Sequence, residues 1–358
     1  MNQVVQRMDV TYQEISNQPH SWAATLEWVA DHWPSFGVTF EPGVRVLFIG
    51  CGTSYNLAQT AARLFQEATG HVSVAVPASE VFLNDESTVP ASGPVVAFAI
   101  SRSGTTSEVL MAVEHLHKKY PNVRTVGVTC NSQKTLAHIA QVAVSLDHAS
   151  EESVVMTQSF TSMLLAIQWI AASEGKRENL REEIGKLPDV LRSSIEEMAA
   201  FGKRIGATET ADQYIYLGLG AYFGLATEAT LKLKEMTQTP CEAYNPLEFR
   251  HGPISIVRKG TAAVYLVAKD NADYIADVIR DVSAVEGRTI AIAPNSIGSS
   301  LGADDFLGIE ELSDWSRSVL YMPALQFIAH ARALDLGLNP DQPRNLNQVV
   351  ILKETAAR

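Results

Sequence analysis

The sequence predicts an α/β protein of two tandem halves, each a parallel sheet flanked by helices. Three observations predict it. Short apolar runs alternate with helical stretches along most of the chain, the pattern of βαβ units whose strands are covered on both faces. The first run, Val46-Leu47-Phe48-Ile49, enters the loop Gly50-Cys51-Gly52-Thr53-Ser54-Tyr55, and the same pattern returns as Tyr214-Ile215-Tyr216-Leu217-Gly218-Leu219-Gly220-Ala221-Tyr222-Phe223. Ala262 to Ala268, ending in Lys269-Asp270-Asn271, then matches the first half's segment 94–106. The chain reads as an internal duplication with halves of about 150 residues, an ordinary domain size.

Each element has a local reason. Residues 1–36 read as a polar helical segment anchored by Trp22, Trp28 and Trp33, with a break at Asn17-Gln18-Pro19. Arg45 to Ile49 is apolar and partly β-branched, hence a strand, and Asn56 to Thr69 follows as a helix. His71 to Val76 is a short strand. Pro94 to Ile100 is nearly all apolar and reads as a buried strand; it enters the loop Ser101-Arg102-Ser103-Gly104-Thr105-Thr106 and the amphipathic helix Ser107 to Lys119. Val123 to Thr129 is another strand, Val142 to Leu146 an edge strand, and 158–173 an apolar helix that closes the half. Residues 174–207 are charged and helical and form the join. Gln213 to Leu217 and Thr289 to Ala293 are strands of the second half. The expected division is 1–36, 37–175, 176–340 and a tail, 341–358.

Composition narrows the function classes. The chain has 358 residues, 46% of them hydrophobic and 19% charged, enough for a large core. A net charge of −12 without a Lys/Arg-rich run argues against nucleic acid and anionic membrane as partners. Cys51, Cys130 and Cys241 are odd in number and widely spaced, which fits a reducing cytoplasm rather than a disulfide framework or a zinc site. No signal peptide opens the chain, and no uninterrupted run of about 18 apolar residues occurs.

Two loops of the first half fall at strand carboxyl ends, where open parallel sheets bind ligands. Gly50-Cys51-Gly52-Thr53-Ser54 lets backbone N–H groups approach a ligand. Ser101-Arg102-Ser103-Gly104-Thr105-Thr106 offers hydroxyls and a helix N-terminus, which suits a phosphomonoester. No Gly-x-Gly-x-x-Gly follows the first strand, and no Walker lysine is present.

The third feature is the helix carrying Glu228, Lys232 and Glu235 at i, i+4 and i+7, beside an apolar stripe of Leu225, Ala229, Leu233 and Met236. This spacing is also that of a surface salt-bridge ladder. Beside an apolar stripe, the charged row is expected on the shoulder of the core, half desolvated. A carboxylate there can have its pKa raised towards neutrality, as a general base requires. The helix should end near Thr239-Pro240, and a loop then carries His251 into Gly252-Pro253. A carboxylate and an imidazole on one helix–loop unit are the parts needed to move a proton and open a sugar ring.

These motifs together resemble the sugar isomerase (SIS) family in its tandem form. Tyr12-Gln13-Glu14-Ile15-Ser16-Asn17-Gln18-Pro19 is similar to the opening of the isomerase half of glucosamine-fructose-6-phosphate aminotransferases. Cys51 to Ser54 and Ser101 to Thr106 resemble the family's sugar-phosphate loops. Leu231-Lys232-Leu233-Lys234-Glu235 and Arg250-His251-Gly252-Pro253 resemble its catalytic segment, and Asp341-Gln342-Pro343-Arg344-Asn345-Leu346 its tail. The Ser-Arg-Ser-Gly loop, Val154 to Phe160 and Phe249 to Pro253 lean towards the amino-sugar-phosphate deaminase/isomerase branch.

The resemblance implies two tandem SIS domains and a hexosamine-6-phosphate deaminase/isomerase that yields a ketose 6-phosphate and ammonia. Glu235 would shuttle a proton between sugar C1 and C2. His251, supplied by the neighbouring subunit of a homodimer, would assist ring opening, with Lys232 and Glu228 beside the reacting end. Cys51, Gly52, Thr53, Ser54, Ser101, Arg102, Ser103, Thr106, Val154 and Gln348 would contact the sugar phosphate. No metal or nucleotide cofactor is implied. The chain reaches SIS sequence almost at Met1-Asn2, so no glutamine-hydrolysing ammonia source is expected. The synthase's tail lysine, able to form an imine with the ketose, is Gln348 here, so neither that step nor the synthesis direction is carried over. A 6-phosphofructosamine deglycase, a plain aldose–ketose isomerase and a non-catalytic sugar-phosphate sensor stand as alternatives. No basic helix-turn-helix candidate lies in residues 1–36, and Glu235 and His251 occur together; both favour an enzyme over a sensor.

Overall fold

A computed structural model describes residues 9–207, 209, 211–347, 349 and 352. Parts of the expected N-terminal segment and tail, residues 1–8 and 353–358 among them, lie outside the described residues, as does Gln348.

Helices α1 (Val10–Ser16) and α2 (Gln18–His32) meet at Asn17, with Pro19 in the first turn of α2, where a missing N–H costs nothing. The first half follows: β1 (Arg45–Gly50), α3 (Thr53–Thr69), β2 (Ser73–Pro77), β3 (Val95–Ile100), α4 (Ser107–Lys119), β4 (Val123–Thr129), β5 (Val142–Ser145) and α5 (Gln158–Glu174). The join is α6 (Glu178–Gly206), whose Leu180, Ile184, Leu187, Leu191, Met198, Phe201 and Ile205 form one buried stripe.

The second half has β6 (Gln213–Gly218), α7 (Ala221–Thr237), β7 (Cys241–Tyr244), β8 (Thr261–Leu266), α8 (Ala272–Ala284), β9 (Arg288–Pro294), β10 (Asp305–Ile309) and α9 (Tyr321–Asp335). Short helical turns fill several of the connections. Helix α7 stops at Thr237, two residues earlier than expected, because Gln238 takes the left-handed conformation. The edge strands β7 and β10 are additions to the sequence reading.

The sheets run β2-β1-β3-β4-β5 and β7-β6-β8-β9-β10, the same order in each half, and every pairing is parallel. The expected duplication is thus present in the winding. It is also present in one backbone detail. Gly52 (φ 53°, ψ −125°) and Gly220 (φ 62°, ψ −124°) turn the chain from strand to helix in the same conformation, one that a side chain resists.

The central core lies between the sheets and joins both halves. Phe48, Phe65 and Phe98 from the first half and Tyr214, Tyr216, Leu225 and Leu233 from the second belong to it, with Trp22 of α2 and most of α5. Two smaller cores cover the outer sheet faces, one against α4 and one against α8. Trp22 and Trp33 are buried as anchors, and Trp28 is half-buried and stacks on His32. Among the described residues no helix is long and apolar enough to cross a membrane.

Candidate active site

In the first sheet, α3 leads from β1 to β2 on one side, while β3 pairs with β1 on the other. The crevice between the loops after β1 and β3 is therefore the topological switch point, where ligands bind in such sheets. A cavity of about 230 Å³ lies there. Of the predicted residues, Cys51, Gly52, Thr53, Ser54, Arg102, Ser103, Thr106, Val154 and Glu235 line it. The structure thus brings both loops of the first half onto a carboxylate of α7.

The Ser101–Thr106 loop is internally braced. Ser101 Oγ lies 2.9 Å from Thr106 Oγ1, and Thr105 donates to Ser103 Oγ through its N–H (3.2 Å) and hydroxyl (3.1 Å). Thr106 caps α4 with no side-chain hydrogen bond to the helix, although Val109 N donates to the Thr106 carbonyl at 3.1 Å. Ser101 is buried behind the cavity wall. The Arg102 guanidinium is spent on the protein: Nη1 donates to the carbonyls of Ser153 (3.3 Å) and Val154 (3.2 Å) and lies 3.4 Å from Glu151. It holds the 151–156 loop, whose Val154 and Met156 form another wall.

Helix α7 supplies the charged row. A side chain at Gly224 would collide with Thr60, so its absence lets α7 press against α3. That contact buries Glu228 and Lys232 completely, deeper than the half-desolvated shoulder expected from the stripe; only Glu235 keeps partial exposure. Lys232 Nζ sits 3.1 Å from Glu228 Oε1, 2.6 Å from Glu235 Oε2 and 3.0 Å from Thr53 Oγ1. Asn56 Nδ2 donates to Glu228 Oε2 at 2.9 Å. Burial pushes the Glu228 carboxyl above its ordinary range, with Lys232 pulling against it and Glu235 adding to it. Burial opposes the Lys232 charge, but Glu228 and Glu235 outweigh it and raise its pKa. Desolvation thus raises the pKa of Glu228, which lies beneath the cavity.

Cys51 packs against the outer core, and burial, with Glu108 nearby, pushes its thiol up to about 11, so it stays a neutral wall atom. His251 is not brought to the cavity. It is exposed, in the turn after the short helix Pro246–Phe249. Among the described residues no cluster of three or more His, Cys, Asp or Glu is placed to hold a metal.

Sequence reasoning missed Asn56, Glu108, Met156 and the tail residues Leu346, Asn347 and Val349. Asn56 lies one turn after Thr53, a spacing that could have found it. Leu346 belongs to the tail motif, which by itself points to no place in the site. A larger groove, about 780 Å³, lies elsewhere, between α1, α6 and α9, and holds neither glycine nor hydroxyl loop.

The SIS domain family model matches residues 41–173 and 209–310. The chain is 30% identical over 310 residues to a glutamine–fructose-6-phosphate aminotransferase (isomerizing) of Sulfurisphaera tokodaii, covering 86% of this chain and 50% of that one. It is 31% identical to the corresponding protein of Sulfolobus acidocaldarius, with the same shares covered. The chain thus spans about half the length of the curated relatives it matches. Among solved structures, a glucosamine-6-phosphate deaminase of Thermotoga maritima superposes with a TM-score of 0.80 at 27% identity, covering 96% of this chain and 100% of that one. A tagatose-6-phosphate ketose/aldose isomerase of Escherichia coli gives 0.86 at 23% identity, covering 98% and 97%, a likeness of fold.

Proposed function

This chain belongs to the SIS domain family, and from that premise we propose that it is a hexosamine-6-phosphate deaminase/isomerase, giving a ketose 6-phosphate and ammonia. The observation that carries the reading is the buried ammonium of Lys232, held between Glu228, Glu235 and Thr53 beneath a cavity whose other wall is the hydroxyl loop. A surface ladder would leave all three charges in water. Here one carboxylate of the row, Glu235, reaches the cavity, and the cation behind it is fixed.

That placement supports the following chemistry. Ser103, Thr106 and the first-turn N–H groups of α4 take the phosphate, with Ser101 bracing them. The sugar's reacting end then extends towards Glu235. His251 protonates the ring oxygen as the ring opens. Glu235 removes the C2 proton, giving an enolamine, and returns a proton to C1, giving the ketimine. Water hydrolyses the ketimine to the ketose and ammonia. His251 lies outside the cavity of its own chain, which supports a homodimer whose neighbouring subunit supplies it. The 27% identity to a protein named as a glucosamine-6-phosphate deaminase supports the direction of reaction.

The test is ammonia release from a panel of hexosamine 6-phosphates and fructosamine 6-phosphates. Release from a hexosamine 6-phosphate, with ketose formed in equal amount, is expected. Amine release from the fructosamine series alone would replace the reading with a deglycase. Interconversion of neutral sugar phosphates alone would make it an isomerase. Tight binding without turnover of any member would make it a sensor.

A further inference from the structure

Helix α1 lines no part of the cavity among the described residues, yet two of its walls are tied to it. At its N-terminus the first three N–H groups have no partner within the helix. Asp9 takes that of Tyr12 at 2.8 Å. The other two go to a carboxylate from the far end of the chain: Asp341 Oδ2 accepts from Val10 N (3.0 Å) and Oδ1 from Thr11 N (2.8 Å), and Thr11 Oγ1 donates to the same oxygen at 2.7 Å. From this clasp the tail runs past Gln238, whose side chain accepts from Arg344 Nη2 at 3.0 Å. It then presents Leu346, Asn347 and Val349 to the cavity, and Leu352 N donates to Ser107 Oγ at 3.1 Å at the start of α4.

Towards the other end of α1, the Glu14 carboxylate is buried. It accepts from the N–H groups of Glu152 (2.7 Å) and Ser153 (3.3 Å) and from the Ser153 hydroxyl. The Ser153 and Val154 carbonyls in turn hold Arg102 of the hydroxyl loop. Thr11 and Ile15 are fully buried, so the short helix cannot shift without breaking core contacts.

We propose that α1 is a strut, and that Asp341 and Glu14 are positioning residues that fix the tail and the 151–156 loop as walls of the substrate cavity. The helix converts two hydrogen-bonded carboxylates, one at each end, into a set spacing between the walls. This rests on the reading of the cavity as the sugar-phosphate site.

The test uses the full chain with Asp341→Ala, Asp341→Asn, Thr11→Val and Glu14→Gln. Amide hydrogen exchange is followed in peptides covering 341–347 and 150–157, and binding and turnover of glucosamine 6-phosphate are measured beside them. Asp341→Ala should speed exchange in the tail peptide and raise KM roughly tenfold, the scale of a lost helix cap, with kcat within about twofold. Asp341→Asn should do less, because its remaining oxygen still serves Thr11, and Thr11→Val less again. Glu14→Gln should loosen 150–157 and leave the tail peptide as it was. Wild-type exchange in the tail of Asp341→Ala, or acceleration spread evenly over all peptides, would overturn the strut. If Asp341→Ala does not fold, the graded pair Asp341→Asn and Thr11→Val decides by the same readout. A chain that turns over no hexosamine 6-phosphate would sink the deaminase reading alone, since the exchange measurements need no substrate.

Discussion

Lys232 Nζ donates to Thr53 Oγ1 across 3.0 Å, joining the middle of α7 in the second half to the first residue of α3 in the first. The bond makes the ammonium both a counter-ion and a fastener between the halves. Lys232→Met removes the cation and leaves Glu228 fully buried against Glu235. Breaking a buried pair in this way costs about 3–5 kcal/mol. Glu228→Gln added to it removes the stranded charge and should return part of that stability while leaving turnover absent. Urea unfolding and turnover on the single and double variants separate the two effects. Equal stability of the two would count against the buried triad.

Glu235 lies at the cavity end of the row, 2.6 Å from Lys232. Glu235→Gln keeps size and hydrogen bonding but removes the base, and general-base loss costs about 10²–10⁴ in rate. A surface salt-bridge residue would cost almost no rate and at most about 1 kcal/mol of stability. Turnover and solvent-deuterium incorporation at C1 or C2 should fall together. Near-normal exchange in this variant would return α7 to a structural role and put the sensor reading ahead.

The reasons some features were legible are physical. Strands β3 and β8 lie in the sheet interiors, are buried along their whole length and read as continuous apolar runs. Strands β7 and β10 sit at sheet edges. The first is only four residues long and directly follows Pro240, and the second carries Asp305 and Gly308, so neither shows a run. The spacing of Glu228, Lys232 and Glu235 was visible, but their depth was not. It depends on Gly224 letting another helix approach from far along the chain, where Thr60, 161 residues before its partner Ala221, is the near neighbour. The tail's place on the cavity is set by Asp341 at α1, a contact across 330 residues that no local pattern encodes.

The hydroxyl loop should act on affinity more than on rate. Ser103 and Thr106 line the cavity, and Thr106 is held by Ser101 at 2.9 Å. Each hydroxyl replaced by Ala should cost about 1–3 kcal/mol of binding to a charged phosphate. Ser103→Ala and Thr106→Ala should therefore raise KM with kcat nearly unchanged. The double variant should lose most of the preference for the 6-phosphate over the unphosphorylated sugar. A preserved preference would place the phosphate elsewhere.

Stability should fall as pH rises through neutrality. Burial, with Glu151 beside it, pushes the Glu14 carboxyl up to about 7 from an ordinary value of 4.5, although Ser153 and two N–H groups pull it down. The unfolded chain loses this proton near its ordinary pKa, while the folded chain keeps it until about pH 7. The contribution is therefore complete below the unfolded pKa and is lost as pH rises through the folded one, on the order of 3 kcal/mol. Glu228, raised in the same direction, adds to the slope. Urea midpoints from pH 5 to 8 should decline in the parent and decline less in Glu14→Gln. Parallel profiles would remove Glu14 as the cause.

Residue His251 gives the most demanding prediction, because it concerns more than one chain. It is exposed, on a turn whose N–H bonds reach back to Glu248, and it does not line the cavity that holds Glu235. A ring-opening acid so placed can serve only a cavity on another copy, unless the turn moves. Glu235→Gln and His251→Ala should each be nearly inactive as homodimers, since each lacks one of the two groups at every site. In a mixed dimer one of the two sites pairs an intact Glu235 with an intact His251. Random mixing of equal amounts makes about half of the dimers mixed, each with one good site, so about a quarter of the parental rate should return. Subunit exchange is confirmed separately, with a mass-tagged copy. Full exchange with no recovered turnover would show that His251 acts within its own chain, and the turn Arg250 to Pro253 would then have to move to reach Glu235.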